Sequence, residues 1–272
     1  MAWEMAPSSV KRRLSTLRRI IRFAEAHNHV DRNVAALVDA PRGRARRPGK
    51  ALTLEKVAAL LESSRGRPIG SYIALSVFTG IRTEEARPLE WQHLHLRPVK
   101  GQICSCGSEH AESQLPHVEI WRSVRIDGDT KTPDSRRTVA LPDIAVDLLA
   151  EHQVRQQKWR ARHDWMSVGI VYVFGTRYDT VPQAQTIRDQ FRAAVTRAGI
   201  RGSWTPRDLR HTFVSIMSEQ GASVELIADL VGHKDTATTW TVYRHQLRPV
   251  ITEGAALMDA AIREALRSQK GR

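Results

Sequence analysis

The blocks TPRDLRHTF (residues 205–213), LVGHKDT (230–236) and TVYRHQL (241–247) follow one another in the last third of this 272-residue chain, and their reading decides the fold. From Gln185 onward the sequence reads as mostly helix, so the blocks offer Arg207, Arg210, His211, His233 and Tyr243 from helices and the short turns between them. Two blocks of the same character lie upstream: GDTKTPDSRR (128–137), with Lys131, and TGIRTEEA (79–86), with Arg82 and Glu85. The set is a series of basic groups and one late tyrosine.

The intervening sequence frames these blocks. Thr53 can cap LEKVAALLESS, and a helical run from about Ile69 to Phe78 leads into the TGIR turn. TEEARPLEW continues briefly as a helix that Pro88 should end or kink. VEIWRSVRI (118–126) and RRTVALP (136–142) are strand-like, and the Gly, Asp, Pro and Ser of DGDTKTPDS mark a turn between them. Asp143 to Arg162 is helical, and GIVYVF (169–174) reads as a short buried strand. The expected class is mainly α with a small antiparallel β-sheet (α+β).

At the N-terminal end, Val10, Leu14, Leu17, Ile21 and Ala24 recur at helical steps, with Lys11, Arg12, Arg18, Arg19 and Arg22 on mostly other faces. PRGRARRPGK (41–50) has no apolar period and reads as a linker. Residues 1–47 and 48–272 are therefore expected to be separate units. Fifty residues make a poor independent domain, so the first reads as the end of something larger.

Composition narrows the function. Lys and Arg number 42 against 29 acidic residues, a net charge of +13, and residues 1–50 alone hold 12 basic and 4 acidic side chains. A surplus of this size makes a polyanion the first partner to consider, without separating DNA from RNA or anionic lipid. A hydrophobic content of 41% supports a real core. The apolar runs are far too short to span a bilayer, MAWEMAPSSVKRR lacks an apolar signal segment, and two cysteines suit a reducing compartment. A cytoplasmic, nucleoid-associated bacterial protein is expected.

No obvious acidic cluster is present to gather divalent cations, and no GxxxxGK[ST] loop is present to hold ATP. No catalytic metal or cofactor is expected. In order and spacing the five blocks resemble the tyrosine recombinase (phage integrase) family, with a particular likeness to integrases of actinobacterial mobile elements. The likeness covers about residues 48–258, and the N-terminal stretch resembles the tail of the family's core-binding domain and its linker. It implies a catalytic domain that cleaves and rejoins DNA through a 3′-phosphotyrosine, freeing a 5′-hydroxyl and needing no ATP.

The same resemblance assigns roles. Arg82 and Arg210 match the arginines that grip the scissile phosphate, a task suited to a planar and permanently charged fork. Tyr243 matches the nucleophile. With an ordinary phenol pKa near 10, only about one part in a thousand is ionised at pH 7, so it needs activation. Of the other tyrosines, Tyr72 and Tyr172 sit in apolar segments and Tyr178 in a loop. Lys131 matches the hairpin lysine that protonates the leaving oxygen, with Arg136 and Arg137 close by. Glu85 stands where an acidic residue orients the arginines, and His233 where a side chain hydrogen-bonds the phosphate. Arg207 departs from the family's usual His; it keeps the charge but cannot accept a proton at neutral pH. His211 reads as structural, because adjacent helix positions face different directions.

Arg12, Arg18, Arg19, Arg44, Arg46 and Arg47 are expected to meet the DNA backbone. The implied partners are double-stranded attachment sites, a homotetramer on DNA, and an accessory DNA-bending or directionality factor, with no membrane. Relaxation of the type IB topoisomerase kind, and a shortened integrase that holds DNA without cutting, are the competing functions. Cys104, Cys106, His110 and His117 in GQICSCGSEHAESQLPH fall outside the pattern, and their spacing is a weak metal signal. No metal site is assigned.

Overall fold

The computed structural model describes residues 7–40, 50–124, 136–163 and 169–233. Contacts divide the chain into two compact units, Met1–Pro48 and Gly49–Arg272. In the first, helix α1 (Pro7–Ala26) is followed by a 3-10 turn, Val34–Leu37. Arg18 holds them together: its Nε donates to Ala35 O at 3.0 Å, its Nη2 donates to Val38 O, and Asn33 Nδ2 donates to Arg18 O at 2.8 Å. Val10, Leu14, Ile21 and Ala24 lie on the half-buried side of α1, whereas Leu17 is exposed.

The second unit is built around one helix. Its helices are α2 (Leu54–Ser63), α3 (Pro68–Thr79), α4 (Thr83–Ala86), α5 (Asp143–Arg162), α6 (Ala184–Arg197), α7 (Pro206–Glu219) and α8 (Val224–Val231). The sequence of α3, PIGSYIALSVFT, has no polar face, as befits a helix covered on every side. Accordingly α2, α5, α6 and α7 all pack against it, and Tyr72, Ile73, Ala74 and Leu75 are almost fully buried. Pro68 opens α3, where a missing N–H costs nothing. Gly70 allows a close approach, since a Cβ there would lie 2.2 Å from Ser64 O. Burial drives the Tyr72 phenol up to about 12, and its ring meets Phe174 edge-on at 5.3 Å. This tyrosine belongs to the core, as its place in an apolar run predicted.

A three-stranded antiparallel sheet of order β1-β2-β3 completes the unit. The strands are β1 (Leu94–His95), β2 (His117–Ile120) and β3 (Arg137–Ala140). Val118 faces Leu94 on one side and Val139 on the other, and all three are buried in the core. The architecture is thus mainly α with a small antiparallel sheet, as expected.

One strand expectation needs correction. GIVYVF is no strand: it contributes one bridge, Tyr172 to Glu90, flanked by Trp91 N to Val171 O and Val173 N to Leu89 O. Its apolarity reflects side-chain burial at Val173 and Phe174 rather than a ladder. Of VEIWRSVRI, β2 takes in the residues up to Ile120, which pairs with Arg137, a further bridge residue stands at Arg122, and residues 125–126 lie outside the described residues. No helix among the described residues is long and apolar enough to cross a membrane.

Candidate active site

Three turns bring the site together. At the end of α3, Gly80 takes a left-handed conformation (φ 61°), and two residues later Arg82 is the N-cap of α4. The first turn of a helix leaves backbone N–H groups without helical partners. Glu85 folds back onto this end, accepting from Arg82 N at 3.0 Å through Oε2 and from Arg82 Nη1 at 2.7 Å through Oε1. On α7, Thr205 and Asp208 close the N-terminus, with Asp208 Oδ2 accepting from Thr205 N at 2.8 Å. That start sets the rotation of α7 and puts Arg210 on its buried side.

The C-terminus of α8 then collects the cations. Its last carbonyls have no helical N–H to bond and carry the negative end of the helix dipole. Gly232 turns left-handed at φ 62° and exposes them in succession. Arg137 Nε donates to Leu230 O at 2.8 Å, Arg210 Nη2 to Val231 O at 2.6 Å, and Arg82 Nη2 to Gly232 O at 2.9 Å. Three guanidiniums from α7, β3 and the α3–α4 turn thus meet on three consecutive carbonyls. Arg210 Nη1 also donates to Gly80 O at 2.6 Å, joining the ends of α3 and α8. His233 Nε2 accepts from Arg210 Nη2 at 3.0 Å, which places the ring proton on Nδ1.

Glu85 is the counter-ion of the cluster. It lies 2.7 Å from Arg82 Nη1 and 2.9 Å from Arg137 Nη2 with only 3% of its side chain exposed. Burial pushes its carboxyl up, but Arg137 and Arg82 beside it outweigh that and hold it at about 2. Burial pushes the Arg137 guanidinium down, while Glu85 pulls it back up. Among the described residues three arginines meet one carboxylate, a cationic pole suited to an anion, and Arg82 keeps 26% of its side chain in solvent.

The structure therefore brings together Arg82, Glu85, Arg210 and His233 from blocks that lie up to 151 residues apart in the sequence. Arg137 is the member that sequence reasoning passed over. It sat beside Lys131 in a basic turn, and only the packing of β3 against α8 distinguishes it. Arg207 is exposed on α7 and His211 half-buried behind Arg210. Lys131, Tyr243, Arg44, Arg46 and Arg47 lie outside the described residues. Arg12 and Arg19 are exposed on α1, whereas Arg18 is turned onto the backbone of its own unit. Elsewhere, His95 joins Cys104, Cys106 and His110, with one donor atom from each lying within 4.8 Å of the others. His95 escaped notice because it precedes the cysteine segment.

The model of the phage integrase family matches residues 50–248, most of the chain. The chain belongs to the phage integrase family. Among relatives of this integrase-family chain, an integrase of Streptomyces ambofaciens is 43% identical over 251 residues, covering 90% of this chain and 62% of that protein. The chain thus spans about three fifths of that relative's length. Tyrosine recombinase XerD of Lacticaseibacillus casei is 24% identical over 88% of this chain and 73% of its own. Among solved structures, the Tn1549 transposon integrase in complex with a circular intermediate DNA superposes with a TM-score of 0.66 at 14% identity, over 95% of this chain and 80% of that one. A lambda integrase dimer bound to a COC′ core site gives 0.54 at 16% identity, over 88% and 80%. At these identities the likeness to the solved structures is one of fold.

Proposed function

We propose that this chain is a site-specific DNA recombinase that cuts and rejoins duplex DNA through a covalent 3′-phosphotyrosine at Tyr243. The observation that carries the reading is the meeting of Arg82, Arg210 and His233 at the C-terminus of α8. Phosphoryl transfer rests on positioning and on stabilising charge that develops on phosphoryl oxygens. Guanidiniums fixed by backbone carbonyls before the substrate arrives need little reorganisation when that charge develops. Arg82 and Arg210 hold the scissile phosphate, His233 hydrogen-bonds it, and the phenol of Tyr243 displaces the 5′-oxygen, which Lys131 protonates. Glu85 and Arg137 are positioning residues. Arg207 holds the phosphate region positive from the exposed side of α7 without acting as a base. Arg12, Arg19 and the linker arginines follow the DNA backbone, and the chain assembles as a tetramer on its attachment sites.

The test is a nicked suicide duplex carrying the attachment site of the element that encodes the chain. A covalent adduct is expected with the wild type and none with Tyr243→Phe, while most DNA binding survives the substitution. An adduct of equal yield in that variant reassigns the nucleophile. Binding without any adduct in the wild type removes the enzyme from the reading. Exchange between two defined sites, rather than relaxation of one plasmid, separates recombination from topoisomerase activity.

A further inference from the structure

The connection from β1 to β2 runs from Leu96 to Pro116 without a named helix or strand. Beyond Leu96 and Pro98 at its start it packs few apolar side chains: Cys104 is buried, but Ile103 and Leu115 are about three-quarters exposed. It needs something other than a core to hold it. Cys104 O accepts from Gly107 N at 2.9 Å and Cys104 N donates to Ser108 O at 3.0 Å, a reversal that Gly107 permits at φ 86°. The turn brings Cys104 and Cys106 to one side and returns the chain to His110, which meets His95 at the end of β1.

Two separations within this group match the edges of a coordination shell, and the four donor atoms all lie within 4.8 Å of one another. His95 Nδ1 lies 3.3 Å from His110 Nε2, and Cys106 Sγ lies 3.6 Å from the same nitrogen. A tetrahedral zinc ion with Zn–N near about 2.05 Å and Zn–S near about 2.3 Å has N···N and N···S edges of about 3.3 and about 3.6 Å. One imidazole nitrogen has a single in-plane hydrogen or lone pair and cannot serve two partners well; an ion at their common centre satisfies all of them. We propose that His95 Nδ1, Cys104 Sγ, Cys106 Sγ and His110 Nε2 bind one structural zinc ion that pins the β1–β2 connection to the sheet.

Two further features fit. Two thiolates and two imidazoles in a closed set of four are a donor set that selects zinc. His95 Nε2, on the far side of the ring, is buried without a hydrogen-bond partner among the described residues, and Glu119 Oε1 stands 3.8 Å from it, beyond hydrogen-bond reach but on the side from which a carboxylate can orient a ligating imidazole. Binding releases the thiol protons to solvent. The role is structural and independent of the phosphoryl-transfer reading. The pinned connection feeds β2, whose partner β3 carries Arg137 into the arginine cluster.

The test uses the whole chain, purified reduced and without chelator. Plasma emission should find one zinc per chain, and cobalt(II) in its place should give thiolate charge-transfer absorption with the intense visible bands of a tetrahedral site. The Cys104→Ser/Cys106→Ser variant should lose both signals. Chelation should make the wild type susceptible to trypsin at Arg97 and Lys100, both exposed on the connection, and added zinc should reverse this. Wild-type protein with neither stoichiometric zinc nor cobalt charge transfer overturns the proposal, as does a folded double variant that keeps its zinc. If the double variant fails to fold, the wild-type cobalt spectrum and the reversibility of trypsin cleavage decide alone.

Discussion

Replacing Glu85 by Gln keeps shape and removes a carboxylate shared by Arg82 and Arg137. The folded protein holds that carboxyl at about 2 against an ordinary 4.5. At about 1.36 kcal/mol per pKa unit, the difference corresponds to about 3 kcal/mol of stability at pH 7. This agrees with the ~3–5 kcal/mol cost of removing one partner from a buried ion pair. Because the folded pKa is the lower one, the contribution is fully present above about 4.5 and is lost as pH falls toward about 2. Urea unfolding of both proteins from pH 7 down to pH values near the lower limit should therefore show a gap of about 3 kcal/mol that closes in acid. A gap below roughly 1 kcal/mol at neutral pH would refute the counter-ion role, because surface pairs are worth no more than that. A gap that stays constant into acid would assign the loss to packing rather than charge.

Gly80→Ala should cost about 2–4 kcal/mol in the same assay, because a Cβ would sit 2.6 Å from Phe213 Cδ1 on a left-handed backbone. It should also weaken adduct formation by moving the carbonyl that anchors Arg210; unchanged stability would contradict the geometry. Thr212→Val removes the acceptor that Leu52 N bonds at 3.0 Å in a buried site, with an expected loss of about 1–3 kcal/mol measured by denaturation. Arg210→Lys cannot hold Gly80 O, Val231 O and His233 at once. Adduct formation should fall by roughly 10²–10³ in single-turnover cleavage, and full activity would remove Arg210 from the site.

Local sequence carried the helical framework. Thr53, Pro68, Pro88 and Thr205 stand at or near helix ends, because caps and prolines act on the residues next to them. The apolar run from Ile69 to Phe78 announced the helix that became α3. The five ordered blocks pointed to Arg82, Glu85, Arg210 and His233 because the residue types that phosphate chemistry demands recur in local signatures. GIVYVF misled for the converse reason: apolar composition reports burial, and a ladder needs a partner strand that composition does not name.

Tertiary packing decided the rest. That three guanidiniums would settle on the carbonyls of residues 230, 231 and 232 depends on where β3 and α7 lie against α8. Arg137 became a member of the site through that packing, and Arg18 became a clasp on its own unit through another. His95 stands nine residues before Cys104, and only pairing of β1 with β2 and the turn at Gly107 carry the two together. Sequence determines what each segment prefers and which charges it bears. Which charges face one another across more than a hundred residues is fixed only when orphaned helix carbonyls and buried side chains must find partners at the same time.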